Sequence, residues 1–105
     1  MDKACYLVLC TCPDAETARS IALALVEREL AACVNILPGV TSVYRWQDEV
    51  EQADEWLLLI KTTRDRYPDL EHDIRTRHPY EVPEIIAVPI DQGLPDYLRW
   101  VADST

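Results

Sequence analysis

The sequence His78-Pro79-Tyr80-Glu81-Val82-Pro83-Glu84 continues directly into Ile85-Ile86-Ala87-Val88-Pro89-Ile90. Two prolines restrict the backbone of the first segment, which also carries an imidazole, a phenol and two carboxylates. The second segment is an apolar run of strand length that is rich in β-branched residues. We therefore predict a rigid loop with functional side chains at the mouth of a buried strand, residues 85–90.

The chain is short and acidic. Its 105 residues suffice for one domain, residues 1–105, and the apolar content of 49% with only two glycines argues for a folded protein. The formal charge of −9 makes nucleic acid a poor partner, because its phosphate backbone would be repelled. No apolar run approaches the ~20 residues that a bilayer helix needs, so we expect no membrane partner. We expect a mature N-terminus and a cytoplasmic location, which reduced cysteines would suit.

The pattern of apolar residues predicts the order strand, helix, strand, strand, helix, strand and closing helix. This order is the split βαβ, ferredoxin-like arrangement, an α+β fold with two crossover helices on one face of the sheet. The predicted elements are, in chain order, a strand at 4–10, a helix after Asp14, a hairpin of strands 33–46 and 50–62, a helix from about Asp65 that stops before His78, a strand at 85–90, and a short helix around 97–101.

Three of the predicted strands are apolar on both faces, namely Cys5–Cys10, Trp56–Ile60 and Ile85–Ile90. Two crossover helices can cover only one face of a four-stranded sheet. The other face would leave on the order of several hundred Å² of apolar surface in water, which soluble monomers rarely tolerate. We therefore expect another copy of the chain to cover this second face. The long hairpin, bent at Pro38-Gly39, is expected to project beyond the domain.

Three segments of this sequence, Ala31–Gly39, Ser42–Trp46 and His78–Ile86, resemble the CutA divalent-cation-tolerance proteins. Shorter matches extend the resemblance over essentially the whole chain in order: Thr11-x-Pro13-Asp14, Leu59-Ile60-Lys61-Thr62 and Tyr97-Leu98-x-Trp100. The resemblance implies a ferredoxin-like subunit in a compact PII-like homotrimer, with the sheets facing the centre. It also implies copper binding and a part in divalent-metal tolerance. Some animal members are associated with anchoring a membrane-associated enzyme, and no established catalytic activity comes with the family.

The copper ligands attributed to bacterial members correspond to Cys10 and His78 of this sequence. A further histidine position of the family is occupied here by Arg77, whose charge disfavours a cation nearby. The remaining thiolate and imidazole would favour copper, particularly the cuprous ion, but they need completion by Cys12, a carboxylate or another subunit. The alternative is that Cys10 is a core thiol, the commonest place for an unpaired cysteine.

Tyr80, Glu81 and Glu84 are candidate ligand-binding residues at the rim of the last strand. The alternative role is structural, because a carboxylate next to proline can cap a backbone amide or pair with Arg45 or Lys61. For other polar and aromatic side chains we expect burial of Cys33, a solvated His72, and packing across subunits of Trp46, Trp56 and Trp100.

Three classes of function stay open from the sequence. The leading hypothesis is a non-enzymatic homotrimer that binds copper or other divalent cations and contributes to metal tolerance. The second is a structural or signalling trimer with a PII-like cleft for a small ligand between subunits, in which metal binding is incidental. The third is an enzyme that pairs Cys10 or Cys33 with His78, although no orienting third group or glycine-rich phosphate loop accompanies them.

Overall fold

A computed structural model describes residues 4–105 as a four-stranded antiparallel sheet with three helices. The elements are, in chain order, β1 (Cys5–Cys12), α1 (Ala15–Glu27), β2 (Cys33–Trp46), β3 (Glu49–Thr63), α2 (Tyr67–Arg77), β4 (Ile85–Pro89) and α3 (Pro95–Asp103). The strands lie side by side in the order β2-β3-β1-β4. The predicted α+β class and ferredoxin-like order are confirmed. The predicted single domain also includes residues 1–3, which lie outside the described residues.

Local sequence features set the start of α1 and the end of α2. Asp14 precedes α1 and caps it, because its Oδ1 accepts a hydrogen bond from the backbone N–H of Thr17 at 2.7 Å. This hydrogen bond holds the pKa of Asp14 below its usual value. α2 ends at Arg77, because His78 precedes a proline and adopts an extended backbone with φ −79° and ψ 136°. The end of α2 therefore sets the place of His78 at the entrance to the loop 79–84.

The main hydrophobic core lies between the sheet and the helices α1 and α2. Alternate residues of the two central strands face these helices, and their side chains meet apolar residues from both of them. The members of this core that are fully buried include Val8, Cys10, Cys12, Leu25, Leu58, Ile60, Leu70 and Ile74. The remaining helix, α3, packs against the opposite side of β1, where Val101 and Leu98 contact Cys5. The Sγ atom of Cys5 lies 3.7 Å from the Leu98 carbonyl oxygen.

The sheet face opposite α1 and α2, here called the open face, is apolar and only partly covered. The strand register places Leu9 of β1 between Leu59 of β3 and Ile86 of β4. On β4, the side chains of Ile86 and Val88 are 50% and 46% exposed. Since α3 covers only the end of this face near Cys5, a single chain leaves the rest in contact with water. This is the exposed apolar surface that the doubly apolar strands predict.

The hairpin of β2 and β3 extends past the rest of the sheet. Its neighbour β1 pairs with β3 only as far as Trp56, so residues 40–55 form a two-stranded ribbon, here called the hairpin arm. The principal extents of the molecule are 47 × 25 × 23 Å, and its radius of gyration of 14.2 Å exceeds the ~13 Å of a compact domain of this length. The predicted projecting hairpin is confirmed.

Two local backbone features, a bulge and a tight turn, shape this hairpin. β2 contains one extra residue between Leu37 and Val40, where Gly39 adopts φ +80°, so the predicted irregularity at Pro38-Gly39 is a β-bulge. At the tip, Gln47 and Asp48 both have positive φ, at 50° and 67°. Left-handed backbone at both turn residues matches the right-handed twist of the flanking strands.

The packing of α1 yields a stability prediction with an internal control. We expect Leu25→Ala to lower the free energy of unfolding by roughly 3 kcal/mol, because this fully buried side chain would leave a cavity. Leu23→Ala, on the same helix but 56% exposed, should cost less than about 1 kcal/mol. Chemical denaturation of both variants at equal protein concentration measures the difference. Equal losses would contradict the orientation of α1 described above.

Candidate functional site

One strand and one helix end bring three metal-ligating side chains together. Cys10 and Cys12 are two residues apart on β1, so their side chains lie on the same face of the sheet. His78 follows the last residue of α2. The three possible ligand atoms, two Sγ and one ring nitrogen, lie within 4.8 Å of one another, and all three residues are buried. We call Cys10, Cys12 and His78 the thiol–imidazole cluster.

The imidazole of His78 is held by the backbone through both of its ring nitrogens. Nε2 lies 2.7 Å from the carbonyl oxygen of Thr11, and Nδ1 accepts a hydrogen bond from the Tyr80 N–H at 3.2 Å. Because a carbonyl can only accept, Nε2 carries the proton of the neutral ring. A metal ion that binds His78 must therefore replace one of these two partners. The same contacts fix the direction in which the ring faces the thiols.

The two thiols of the cluster differ in how readily they ionise. A hydrogen bond from Cys10 lowers the pKa of Cys12, whereas that hydrogen bond and then burial raise the pKa of Cys10. The carboxylates of Glu84 and Glu55 also raise the pKa of Cys10, because they disfavour a second negative charge nearby. A thiolate is therefore more favourable at Cys12 than at Cys10. A cation would relieve this repulsion between thiolates and carboxylates.

Arg77 is less of an obstacle to a cation than the sequence suggests. Its Nε donates a hydrogen bond to Oδ2 of Asp73 at 2.9 Å, one turn earlier on α2. Asp73 is only 7% exposed and also lies 3.5 Å from the guanidinium of Arg28. A nearby carboxylate thus offsets the positive charge of Arg77. The expected repulsion between Arg77 and a metal ion at the cluster is correspondingly weaker.

A cavity of about 690 Å³ opens between the hairpin arm and the loop 79–84, and its lining includes Thr11, which separates the two cysteines. We call it the arm cleft. The three predicted ligand-binding residues, Tyr80, Glu81 and Glu84, all line it. The Tyr80 hydroxyl donates a hydrogen bond to Oε2 of Glu55 at 2.8 Å. Burial and this carboxylate raise the pKa of Tyr80, so the phenol stays protonated at neutral pH.

Other sequence predictions have mixed outcomes. Cys33, predicted to be buried, is only half-buried, because it begins the edge strand β2. His72 is exposed, as predicted. Lys61 hydrogen-bonds to Asn35, and no ion pair between Lys61 or Arg45 and the loop carboxylates occurs in residues 4–105.

Sequence reasoning gave no role to Glu55 and only an optional one to Cys12. The signal for Cys12 was its spacing from Cys10, which puts both thiols on one face of a strand. Glu55 carried a weaker signal, a carboxylate that immediately precedes the apolar run 56–60. Its 6% exposure and its bond to Tyr80 depend on the fold of the loop 79–84, which the spacing along the chain does not reveal.

The geometry gives little support to thiol-based catalysis. Both ring nitrogens of His78 are already bonded to backbone groups, and no hydrogen bond joins the imidazole to a thiol in the part of the chain that the structure describes. The Cys10 and Cys12 side chains are also 0% exposed. A nucleophile needs both a base within reach and access to its substrate.

Comparison with known proteins identifies the family. The family model described as CutA1 divalent ion tolerance protein matches residues 6–104 of the chain. This chain belongs to the CutA1 family. The divalent-cation tolerance protein CutA of Thermus thermophilus is 54% identical over 99 residues, which cover 94% of this chain and 96% of that protein. The chain spans about half the length of the human protein CutA, 53% of it, at 47% identity.

Solved CutA1 structures share the whole fold. The divalent cation tolerance protein of Thermus thermophilus aligns with a TM-score of 0.95 and 53% identity, covering 96% of this chain and 98% of that one. The periplasmic CutA of Archaeoglobus fulgidus aligns with a TM-score of 0.92 and 34% identity, over 95% and 97% of the two chains. Because that relative is named periplasmic, membership of the CutA1 family does not fix the compartment. No helix within residues 4–105 is suited to cross a bilayer.

The burial of the thiol–imidazole cluster predicts the reactivity of its cysteines. We expect Cys10 and Cys12 to stay unmodified for hours with iodoacetamide at neutral pH, because both thiols are shielded from solvent. All four cysteines should react after unfolding in denaturant, which serves as the control. Peptide mass spectrometry assigns the modified positions. Rapid, selective alkylation of Cys10 or Cys12 in the folded protein would contradict this description and favour the nucleophile hypothesis.

Proposed function

We propose that this CutA1 protein is a non-enzymatic cytoplasmic homotrimer that binds copper, in particular the cuprous ion, and thereby contributes to divalent-cation tolerance. The observation that carries the proposal is the approach of three ligand atoms, from Cys10, Cys12 and His78, to within 4.8 Å of one another. The family name supports the general link to divalent cations. The ligand set supports the choice of metal.

The chemistry of the donor set favours a soft metal ion. Two thiolates and one imidazole suit cuprous copper, whereas magnesium and calcium prefer carboxylates, carbonyls and water. Cys12 supplies the donor that is missing where Arg77 occupies a histidine position of the family. The hydrogen bond to Cys12, burial and nearby negative charge all raise the pKa of Cys10, and a cation that replaces its proton would reduce the repulsion between the two thiolates. Copper binding should therefore release protons and weaken as the pH falls.

The metal-binding proposal is tested with variants of single cysteines. We expect Cys12→Ala and Cys10→Ser each to weaken cuprous affinity by more than about 100-fold, since each removes one of three ligands. Cys33→Ser is the matched control and should leave the affinity unchanged. Competition against a cuprous chelator, under anaerobic conditions and at two pH values, measures the cuprous affinity of the unchanged protein and of the three variants. An unchanged cuprous affinity in Cys12→Ala would contradict the proposed three-ligand site. An affinity that does not depend on pH would exclude thiolate ligands.

Self-assembly is part of the proposal because the open face of a single chain exposes apolar side chains to water. Leu9, Leu59 and Ile86 form a continuous apolar row across three strands. The hairpin arm adds Val43 and Val50, each 66% exposed, on a two-stranded ribbon that is marginally stable without a packing partner. Another copy of the chain could bury both surfaces. The trimeric state itself is taken from the resemblance to the CutA and PII arrangement.

The assembly proposal is tested by charging the open face. We expect Ile86→Lys, at a position 50% exposed in the single chain, to shift the protein from trimer towards monomer in sedimentation velocity. Burying an unpaired ammonium in an apolar interface is costly, so the assembly should be lost at micromolar concentration. Leu23→Lys, 56% exposed on α1, is the control and should remain trimeric. A wild-type protein that sediments as a stable monomer at that concentration would overturn the proposal.

A second candidate function is a trimeric structural or signalling scaffold with a PII-like ligand cleft between subunits, in which metal binding is incidental. The arm cleft favours it, because a cavity of about 690 Å³ lies within the ~300–1,000 Å³ range of small-molecule sites. The copper content of untagged protein, purified without chelating resin, separates the two candidates. Stoichiometric copper favours the first and an empty trimer the second.

A further inference from the structure

We propose that Tyr80 is a positioning residue of the thiol–imidazole cluster, and that its hydrogen bond to Glu55 is a latch that must open before His78 can bind a metal ion. This inference rests on the metal-binding function proposed above and deepens it, because it names the residue that controls when one of the three ligands is available. The observation that carries it is the position of Tyr80, which contacts both His78 and β3.

Tyr80 keeps the imidazole of His78 in a form that cannot bind a metal ion. Nδ1 accepts a hydrogen bond from the Tyr80 N–H at 3.2 Å, and the Nε2 proton points to the Thr11 carbonyl oxygen at 2.7 Å. For Nδ1 to be the ligand atom, its lone pair must be released by the Tyr80 N–H. For Nε2 to be the ligand atom, the proton of the neutral ring must lie on Nδ1, where it would face the Tyr80 N–H. With either nitrogen as the ligand, the Tyr80 amide therefore has to leave Nδ1.

The loop 79–84, and not His78 itself, is the part that can move. The His78 N–H donates a hydrogen bond to the Ile74 carbonyl oxygen at 2.8 Å, which ties it to the end of α2. The other partner of the ring, Thr11, lies within β1 and pairs with β3. Four of the six residues of the loop are exposed, whereas Tyr80 is half-buried. Movement of the Tyr80 amide therefore means movement of this loop.

The phenol of Tyr80 opposes that movement. Its hydroxyl donates a hydrogen bond at 2.8 Å to Oε2 of Glu55, a side chain of β3 that is only 6% exposed. Hydrogen bonds to carboxylates are among the stronger ones in proteins. The Tyr80 ring also lies against the His78 imidazole, with the ring centroids 4.7 Å apart. Both ends of the latch belong to one chain, so it forms within the subunit and does not need another copy.

The first test removes the hydroxyl and keeps the ring. Tyr80→Phe preserves the backbone N–H and the ring contact with His78, but it loses the hydrogen bond to Glu55. We expect it to bind the cuprous ion about tenfold more tightly than the unchanged protein, because one strong hydrogen bond no longer has to open. Tyr97→Phe deletes the same group from α3, on the opposite side of β1, and should leave the affinity unchanged. Competition against a cuprous chelator measures all three affinities, and an equal or weaker affinity in Tyr80→Phe would overturn the proposal.

The second test needs no metal. In the copper-free protein, we expect the backbone amide at position 80 to exchange its hydrogen at least about tenfold faster in Tyr80→Phe, because the loop is no longer tied to β3. Glu55→Ala removes the other partner of the latch and should accelerate the same amide. The amide of Ile74, a fully buried residue of α2, is the internal reference and should exchange equally in all three proteins. NMR resolves the individual amides, and an unchanged rate at position 80 would contradict the latch.

A third measurement follows the unchanged protein as the cuprous ion is added. The NMR signal of the Tyr80 amide should shift and its hydrogen exchange should become faster, since this N–H loses its acceptor on His78. A copper-bound protein in which the Tyr80 amide keeps its signal and its exchange rate would overturn the proposal.

The results for the latch and for the function on which it rests can be told apart. If the unchanged protein binds the cuprous ion and Tyr80→Phe binds it equally well, the latch fails and the proposed copper function stands. If neither protein binds the ion, both proposals fail.

Discussion

The alternation of side chains along β1 is the constraint on which the rest of the structure depends. β1 pairs with β3 on one side and β4 on the other, so the direction of each of its side chains is fixed by two ladders of hydrogen bonds. One set of residues, Val8, Cys10 and Cys12, faces the helices and is fully buried. The other set, with Leu7 and Leu9, faces the open side. A register shift of one residue would move both thiols out of the core and away from His78.

The loop 79–84 connects this core to the surface because proline dictates where α2 stops. His78 cannot continue the helix before Pro79, and its extended backbone lets the imidazole reach the Thr11 carbonyl of β1. The loop that follows directs Tyr80 towards Glu55 of β3. One short segment thus contributes to two neighbouring sites with different chemistry. The thiol–imidazole cluster is buried and rich in sulfur, whereas the arm cleft is open and lined by carboxylates and aromatic rings.

Electrostatics links these two sites. The carboxylates of Glu55 and Glu84 lie close enough to raise the pKa of Cys10, so negative charge in the cleft opposes ionisation of the thiols. A cation at the thiol–imidazole cluster would reduce this repulsion. The net charge of the chain argued only against a nucleic-acid partner. Near Cys10, two of the carboxylates that produce this charge have a local effect on a thiol. The carboxylates that line the arm cleft therefore influence the ionisation of the thiols in the thiol–imidazole cluster.

The sequence by itself determined the order of elements, the ferredoxin-like class and the doubly apolar strands, because these follow from local periodicity and from proline and glycine chemistry. It also brought Cys10 and Cys12 onto one face, since strand alternation is a local rule. Tertiary structure alone decided that Glu55 is buried beside Tyr80 and that the imidazole of His78 reaches the carbonyl oxygen of Thr11. These contacts join residues far apart along the chain. Their partners are selected by the path of the loop 79–84 and the hairpin arm, which no local pattern specifies.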